Sequence, residues 1–115
     1  MQFEDLEVWQ RSMRLSSEVY NALKNLRDYG FRDQITRSSL SISSNIAEGF
    51  ERGSNKEFIR FLYYAKGSCG ELRSQTYIGL KVGYLDESTG AAWLDETKQL
   101  SSMIAGLITT RGRFD

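Results

Sequence analysis

The stretch Ser44-Asn45-Ile46-Ala47-Glu48-Gly49-Phe50-Glu51-Arg52-Gly53-Ser54-Asn55-Lys56-Glu57 decides the fold. It sets an asparagine, two glycines and several glutamates beside an apolar run, a composition that catalytic loops, phosphate loops and helix junctions all share. Ser54-Asn-Lys-Glu57 fits a capping box: the serine side chain accepts from an early backbone N–H while the glutamate reaches back to another. A helix therefore starts at Ser54, and Gly49 is placed to stop the one before it. Gly49-Phe-Glu-Arg-Gly53 has neither the glycine spacing nor the lysine-serine/threonine ending of a P-loop. The stretch reads as a junction between two helices.

Working outward, Ile35, Ser39, Ile42 and Ile46 carry helical spacing upstream to about Glu48, after a turn at Asp28-Tyr-Gly30 whose glycine suits a left-handed cap. Downstream, Phe58, Phe61, Leu62, Ala65, Cys69, Leu72, Thr76 and Gly79 hold the same period to about Val82. The first helix is predicted from about Asp5 to Arg27, with Leu6, Trp9, Met13, Ser16, Tyr20 and Leu23 as one stripe. A second stripe on it, Val8, Leu15, Val19, Ala22 and Leu26, lies about 200° away at 100° per residue. One stripe suffices for a monomer core, so the other is expected to bury against a neighbouring subunit. Trp93, Leu100, Ile104, Leu107 and Ile108 mark the fourth helix after Gly83-Tyr-Leu-Asp86, and Arg111-Gly-Arg-Phe-Asp115 reads as a frayed tail.

The chain has 115 residues and no proline, so long unbroken helices are permitted. Four amphipathic helices with short connections predict an all-α, antiparallel up-down-up-down four-helix bundle in one domain over residues 1–115. Gly67, Ser68, Gly70 and Ser74 weaken an isolated helix, each glycine by about 1 kcal/mol relative to alanine. Close approach of the serine-rich second helix, with Ser38, Ser39, Ser41, Ser43 and Ser44, is the expected compensation.

Composition narrows the function. Histidine is absent and Cys69 stands alone, so no zinc-type ligand set, internal disulfide or neutral-pH proton shuttle is available. No serine has an evident activating base, and nothing makes Glu48 and Glu71 converge as a glycosidase pair. The chain is expected to be non-enzymatic, without cofactor or metal. Cys69 reads as a small buried hydrophobe. No segment resembles a leader or a membrane span, which predicts a cytoplasmic protein with no membrane partner.

The run Ser41-Ile-Ser-Ser-Asn-Ile-Ala-Glu-Gly49, with Phe58-Ile-Arg-Phe-Leu62, Ala65-Lys-Gly-Ser68 and Phe3-Glu-Asp-Leu-Glu-Val-Trp9, resembles the bacterial four-helix-bundle family of 23S ribosomal RNA intervening-sequence proteins. The resemblance covers nearly the whole chain. Family members often carry proline at the position of Ser43, and serine there should leave the second helix straighter or better hydrogen-bonded at that point. The resemblance implies a ring-like homopentamer, in some genomes encoded inside insertions of large-subunit ribosomal RNA genes. It also implies a likeness in fold to the accessory variability proteins of diversity-generating retroelements, which bind nucleic acid and a reverse transcriptase.

Two groups of side chains are the candidate sites. Ser41, Asn45 and Glu48 form one polar stripe on the second helix. Their expected role is structural, with hydrogen bonds across to Ser68, Glu71 or Gln75, or to Arg37 or Arg73. Arg52, Lys56 and Arg60, spaced by four, are the candidate nucleic-acid contacts, with Tyr63 and Tyr64 one turn on. Lysine plus arginine and aspartate plus glutamate cancel at 15 each, but residues 31–82 carry +3 and residues 83–110 carry −3. A ring would repeat the basic cluster into a rim for RNA or DNA. The alternative is a scaffold that binds a partner protein.

Overall fold

The computed structural model describes residues 1–113. A 3-10 turn at Phe3–Asp5 leads into α1 (Glu7–Leu23), α2 (Tyr29–Glu51), α3 (Asn55–Lys81) and α4 (Glu87–Gly112). Successive helices pack side by side, and α1 also lies against α4, while the backbones of α1 and α3, and of α2 and α4, do not approach closely among the described residues. The four helices therefore stand at the corners of a square, in a bundle 46 × 20 × 20 Å. The core runs the length of that square through Val19, Ile35, Ile42, Ile46, Leu62, Leu72, Leu100 and Ile104, all fully buried.

Several predicted boundaries move, each for a local reason. The first helix ends at Leu23 rather than Arg27, and Asp28 caps α2 by accepting from the Phe31 N–H at 3.1 Å. Gly30 thus lies inside the first turn of α2 rather than serving as a left-handed cap. Gly49 does not stop α2 either. The helix runs two residues further, and the left-handed residue is Gly53 at φ 82°. Gly49 is needed for a different reason: a Cβ there would sit 2.5 Å from the Phe61 Cβ, closer than two carbons can approach. It is the point where α2 and α3 come together.

The other expected source of close approach is absent. Gly67 and Gly70 have nothing within 4 Å of where a Cβ would stand, so they face open space and give α2 no room. Ser38 and Ser43 are buried yet satisfied, each donating to a carbonyl one turn back in α2. Ser38 also lies 2.9 Å from Glu71 of α3, and Ser39 lies 3.2 Å from Ser16 of α1. The small residues of α2 thus serve two neighbours.

On α1 the buried set is Ser16 and Leu23 from the first predicted stripe, Val8, Leu15 and Val19 from the second, and Ser12 from neither. Met13 and Tyr20 remain 39% and 43% exposed beside Leu40 at 47%, around an open groove of about 390 Å³. The tail departs from a frayed end: α4 continues to Gly112, and Asn55 donates to the Arg111 carbonyl at 2.7 Å. Phe114 and Asp115 lie outside the described residues.

Candidate nucleic-acid interface

Ser54 caps α3 as its sequence predicts, accepting from the Glu57 N–H at 3.2 Å. Only that half of the capping box forms. The Glu57 carboxylate turns instead to the arginines, meeting Arg60 Nε at 2.8 Å and Arg52 Nη1 at 3.6 Å. Glu48 joins from the last turn of α2, 3.2 Å from Arg52 Nη2. A carboxylate at a helix C-terminus faces the negative end of the helix dipole, and the arginine cation offsets that repulsion.

The arginines also sit over aromatic rings. Arg52 and Arg60 place their guanidinium carbons 5.0 and 5.1 Å from the Phe61 ring centre, and Arg60 reaches Tyr64 at 5.7 Å. Phe61 is the side chain whose backbone end presses on Gly49, so the helix junction fixes the platform on which both cations rest. Each such contact at an exposed site contributes about 0.5–1 kcal/mol and holds the guanidinium plane in place. Hydrogen bonding to Glu57 raises the Arg60 pKa, so it stays charged across the working pH range.

Lys56 is exposed and forms no ion pair among the described residues. The structure adds two cations that the sequence reading assigned to a tail. The Asn55 hydrogen bond holds the last turn of α4 beside the start of α3, where Arg111 stacks on Phe58 at 5.2 Å and Arg113 caps α4. Only the contact between Asn55 and Arg111, 56 residues apart, reveals this; no local pattern signals it. One end of the bundle therefore gathers Arg52, Lys56, Arg60, Arg111 and Arg113 against Glu48, Glu51 and Glu57.

The polar stripe behaves differently from its expected role. Ser41 donates to the Arg37 carbonyl and Asn45 to the Ser41 carbonyl, both at 2.8 Å and both within α2. None of Ser41, Asn45 and Glu48 hydrogen-bonds to α3; the cross-helix bond belongs to Ser38. Helix geometry explains the correction, because an i,i+4 backbone carbonyl is always within reach of a short side chain. Cys69 is buried, and desolvation pushes its thiol up to about 12, so it is no thiolate nucleophile. Among the described residues no group of three side chains is arranged to hold a metal ion. The arrangement at the basic end offers fixed positive charge with outward N–H donors, the chemistry that meets phosphate.

A family model described as 23S rRNA-intervening sequence protein matches residues 4–106. The fold is similar to a crystal structure of a protein of unknown function from the S23 ribosomal protein family of Bacteroides thetaiotaomicron VPI-5482. The TM-score is 0.82 at 19% identity, over 88% of this chain and 97% of that one. No curated protein matches the sequence significantly.

Proposed function

The chain belongs to the 23S rRNA-intervening sequence protein family, and from that premise and its basic end we propose a non-catalytic, oligomeric helical bundle that associates with nucleic acid. The observation that carries this is the convergence of five cations at one end, three of them seated over aromatic rings. Because three carboxylates share that end and the whole chain is neutral, a single copy offers little net charge. Affinity then depends on repetition. A ring of copies, five in the resemblance, lines up identical ends into a basic rim, and phosphate contacts sum along it. The absence of histidine, the inert Cys69 and the commitment of Ser12, Ser38 and Ser41 to backbone carbonyls support a role without catalysis.

The test is a fluorescence-anisotropy titration against a structured ribosomal RNA fragment and an unrelated single-stranded DNA, at low and near-physiological salt. Binding that weakens steeply with salt, and weakens further in Lys56→Glu and Arg113→Glu, is the expected result. Failure of both ligands to bind at low salt sinks the reading. The exposed patch of Met13, Tyr20 and Leu40 favours a second reading, a scaffold that docks a partner protein without nucleic acid. No helix among the described residues is long and apolar enough to cross a membrane.

A further inference from the structure

Two glycines of α3 have no use inside the fold. Gly67 and Gly70 each cost a helix about 1 kcal/mol relative to alanine, yet a Cβ at either would meet nothing within 4 Å. Glycine also serves where a ligand must lie close against the backbone. At 100° per residue, Gly70 shares an arc about 80° wide with Lys56, Tyr63, Lys66, Tyr77 and Lys81, opposite the buried positions Leu62, Ala65, Leu72 and Thr76. Ser74 lies on the same arc and Gly67 at its edge, so the helix surface between the two tyrosines is low.

The rings that bound this low stretch are unengaged. Tyr63 and Tyr77 are 59% and 53% exposed. Among the described residues neither ring packs on another aromatic or carries a guanidinium, whereas Tyr64 is taken by Phe61 and Arg60. The charge around them is positive. α3 holds five lysines and arginines against two glutamates, and both glutamates are occupied, Glu57 by Arg52 and Arg60 and Glu71 by Ser38. Lys56, Lys66 and Lys81 are exposed and form no ion pair among the described residues.

We propose that the outward face of α3 is a track for single-stranded nucleic acid, with bases stacked on Tyr63 and Tyr77, phosphates met by Lys66 and Lys81, and the strand lying over Gly67 and Gly70. The inference rests on the nucleic-acid reading above and names the ligand class and the surface. Exposed flat rings on a basic face hold single strands with little regard to sequence, since every base has a π-face. A duplex keeps its bases stacked on one another and offers such rings nothing. Tyr63 and Tyr77 lie about 21 Å apart along the helix at 1.5 Å per residue, room for about six nucleotides at 3.4 Å of stacked rise and fewer in an extended strand. Lys56 and Arg60 continue the track into the basic end, so one strand reaches both.

The experiment titrates wild type and variants, by anisotropy and with thermal melts alongside, against a labelled poly-U RNA of about twelve nucleotides and an RNA duplex of the same length. Tyr77→Ala is expected to weaken the single strand about fivefold or more and to leave the duplex unchanged, and Tyr77→Phe, which keeps the ring, to restore the strand. Gly70→Leu is expected to weaken the strand while melting no lower than wild type, because leucine is the better helix former. Lys66→Gln and Lys81→Gln should each make the log–log salt slope shallower by about 0.7. Tyr63→Ala replaces Tyr77→Ala if the latter melts early. Retained strand affinity in both Tyr77→Ala and Gly70→Leu, with loss in Arg113→Glu, overturns the track and leaves the basic end standing. Equal losses of strand and duplex in Tyr77→Ala, or displacement of the strand by polyglutamate as readily as by unlabelled poly-U of equal charge, assigns the face to polyanions at large, acidic proteins included, and also overturns it. A wild type that binds neither probe at low salt defeats the nucleic-acid reading itself.

Discussion

The α2–α3 seam and the α1–α4 seam run along opposite sides of one bundle and are built by opposite rules. At the first, Gly49 lets the backbone of α2 close on Phe61, and Ser38 sends a hydrogen bond across to Glu71. At the second, contact is the thinnest of the four helix pairs, and a furrow remains open. One strap spans it. Arg11 of α1 holds Glu96 through two N–H groups, one at 3.0 Å, and Gln99 through a third contact at 2.6 Å. Small residues therefore have opposite consequences in the two seams: Gly49 admits the large Phe61 and its seam closes, whereas Ala22 and Ala92 line a groove that stays open.

Gly49→Ala should break the tight seam first and most. The added methyl meets a Cβ that is fixed to backbone, so the helices must separate, and overpacking of this kind costs about 1–3 kcal/mol. A drop in Tm of roughly 5–15 °C is expected for a domain of this size. The comparison sharpens with Gly90→Ala, where the added Cβ meets Cγ and both Cδ atoms of the Leu80 side chain but no Cβ or backbone atom among its nearest neighbours. A leucine can change rotamer, so the drop should be clearly smaller. Equal losses in thermal melts would remove the distinction between a backbone contact and a yielding one.

At the loose seam the next effect in size is loss of the strap. Arg11 and Glu96 are 23% and 27% exposed at their side chains, so their interaction is partly screened. Glu96→Ala is expected to cost about 1 kcal/mol in urea unfolding, above the usual surface pair and well below a buried one. No loss at all would mean that α1 is held by the Leu15–Val19–Leu23 stripe alone. Hydrogen bonding to Glu96 raises the Arg11 pKa, so the strap does not open through loss of the arginine proton near neutrality.

Acid should act on the far end of both seams. Tyr84 donates to Asp28 at 2.8 Å, and Asp86 caps α4 by accepting from the Thr89 N–H at 2.7 Å. The Tyr84 bond first, then the Phe31 N–H, lowers the Asp28 pKa; the Thr89 backbone bond leads in lowering that of Asp86. A folded-state pKa below the unfolded 3.8 means that the stabilisation is complete above that value and is lost as pH falls through the lowered one. Wild-type Tm should therefore fall below pH 3.8 more steeply than that of Asp86→Ala, which starts a few degrees lower at neutral pH. Parallel curves would show that the cap contributes nothing through its charge.

How much of this was legible follows from how local each signal is. Helix number, order and the Ser54 cap depend on residues within one or two turns, and Ile35, Ile42, Leu62, Leu72 and Leu100 declare the core by spacing alone. Gly49 was visible as special but misread, because a helix stop and a helix crossing both call for glycine and only the partner, Phe61, distinguishes them. Gly67 and Gly70 failed in the reverse sense, since periodicity places residues around a helix without saying which arc meets a neighbour. Arg111 and Arg113 join the basic end through Asn55, a contact between segments that share no pattern.

The smallest expected effects concern the asparagine and glutamate that first suggested a site. Asn45→Ala removes a hydrogen bond to the Ser41 carbonyl of its own helix, so stability should change by no more than about 0.5 kcal/mol. Glu48→Ala removes an exposed pair with Arg52 and should cost about as little. Its effect on binding should have the opposite sign from that of Lys56→Glu. With Glu48 gone, Arg52 keeps its place on Phe61 and its second carboxylate, Glu57, while the basic end gains one unit of net positive charge. Anisotropy titrations should then show tighter binding to RNA or DNA and a steeper dependence on salt, since fewer phosphate contacts are offset by a carboxylate on the protein. Weaker binding with unchanged stability would mean that Glu48 itself touches the ligand, and the basic end would have to be redrawn around it.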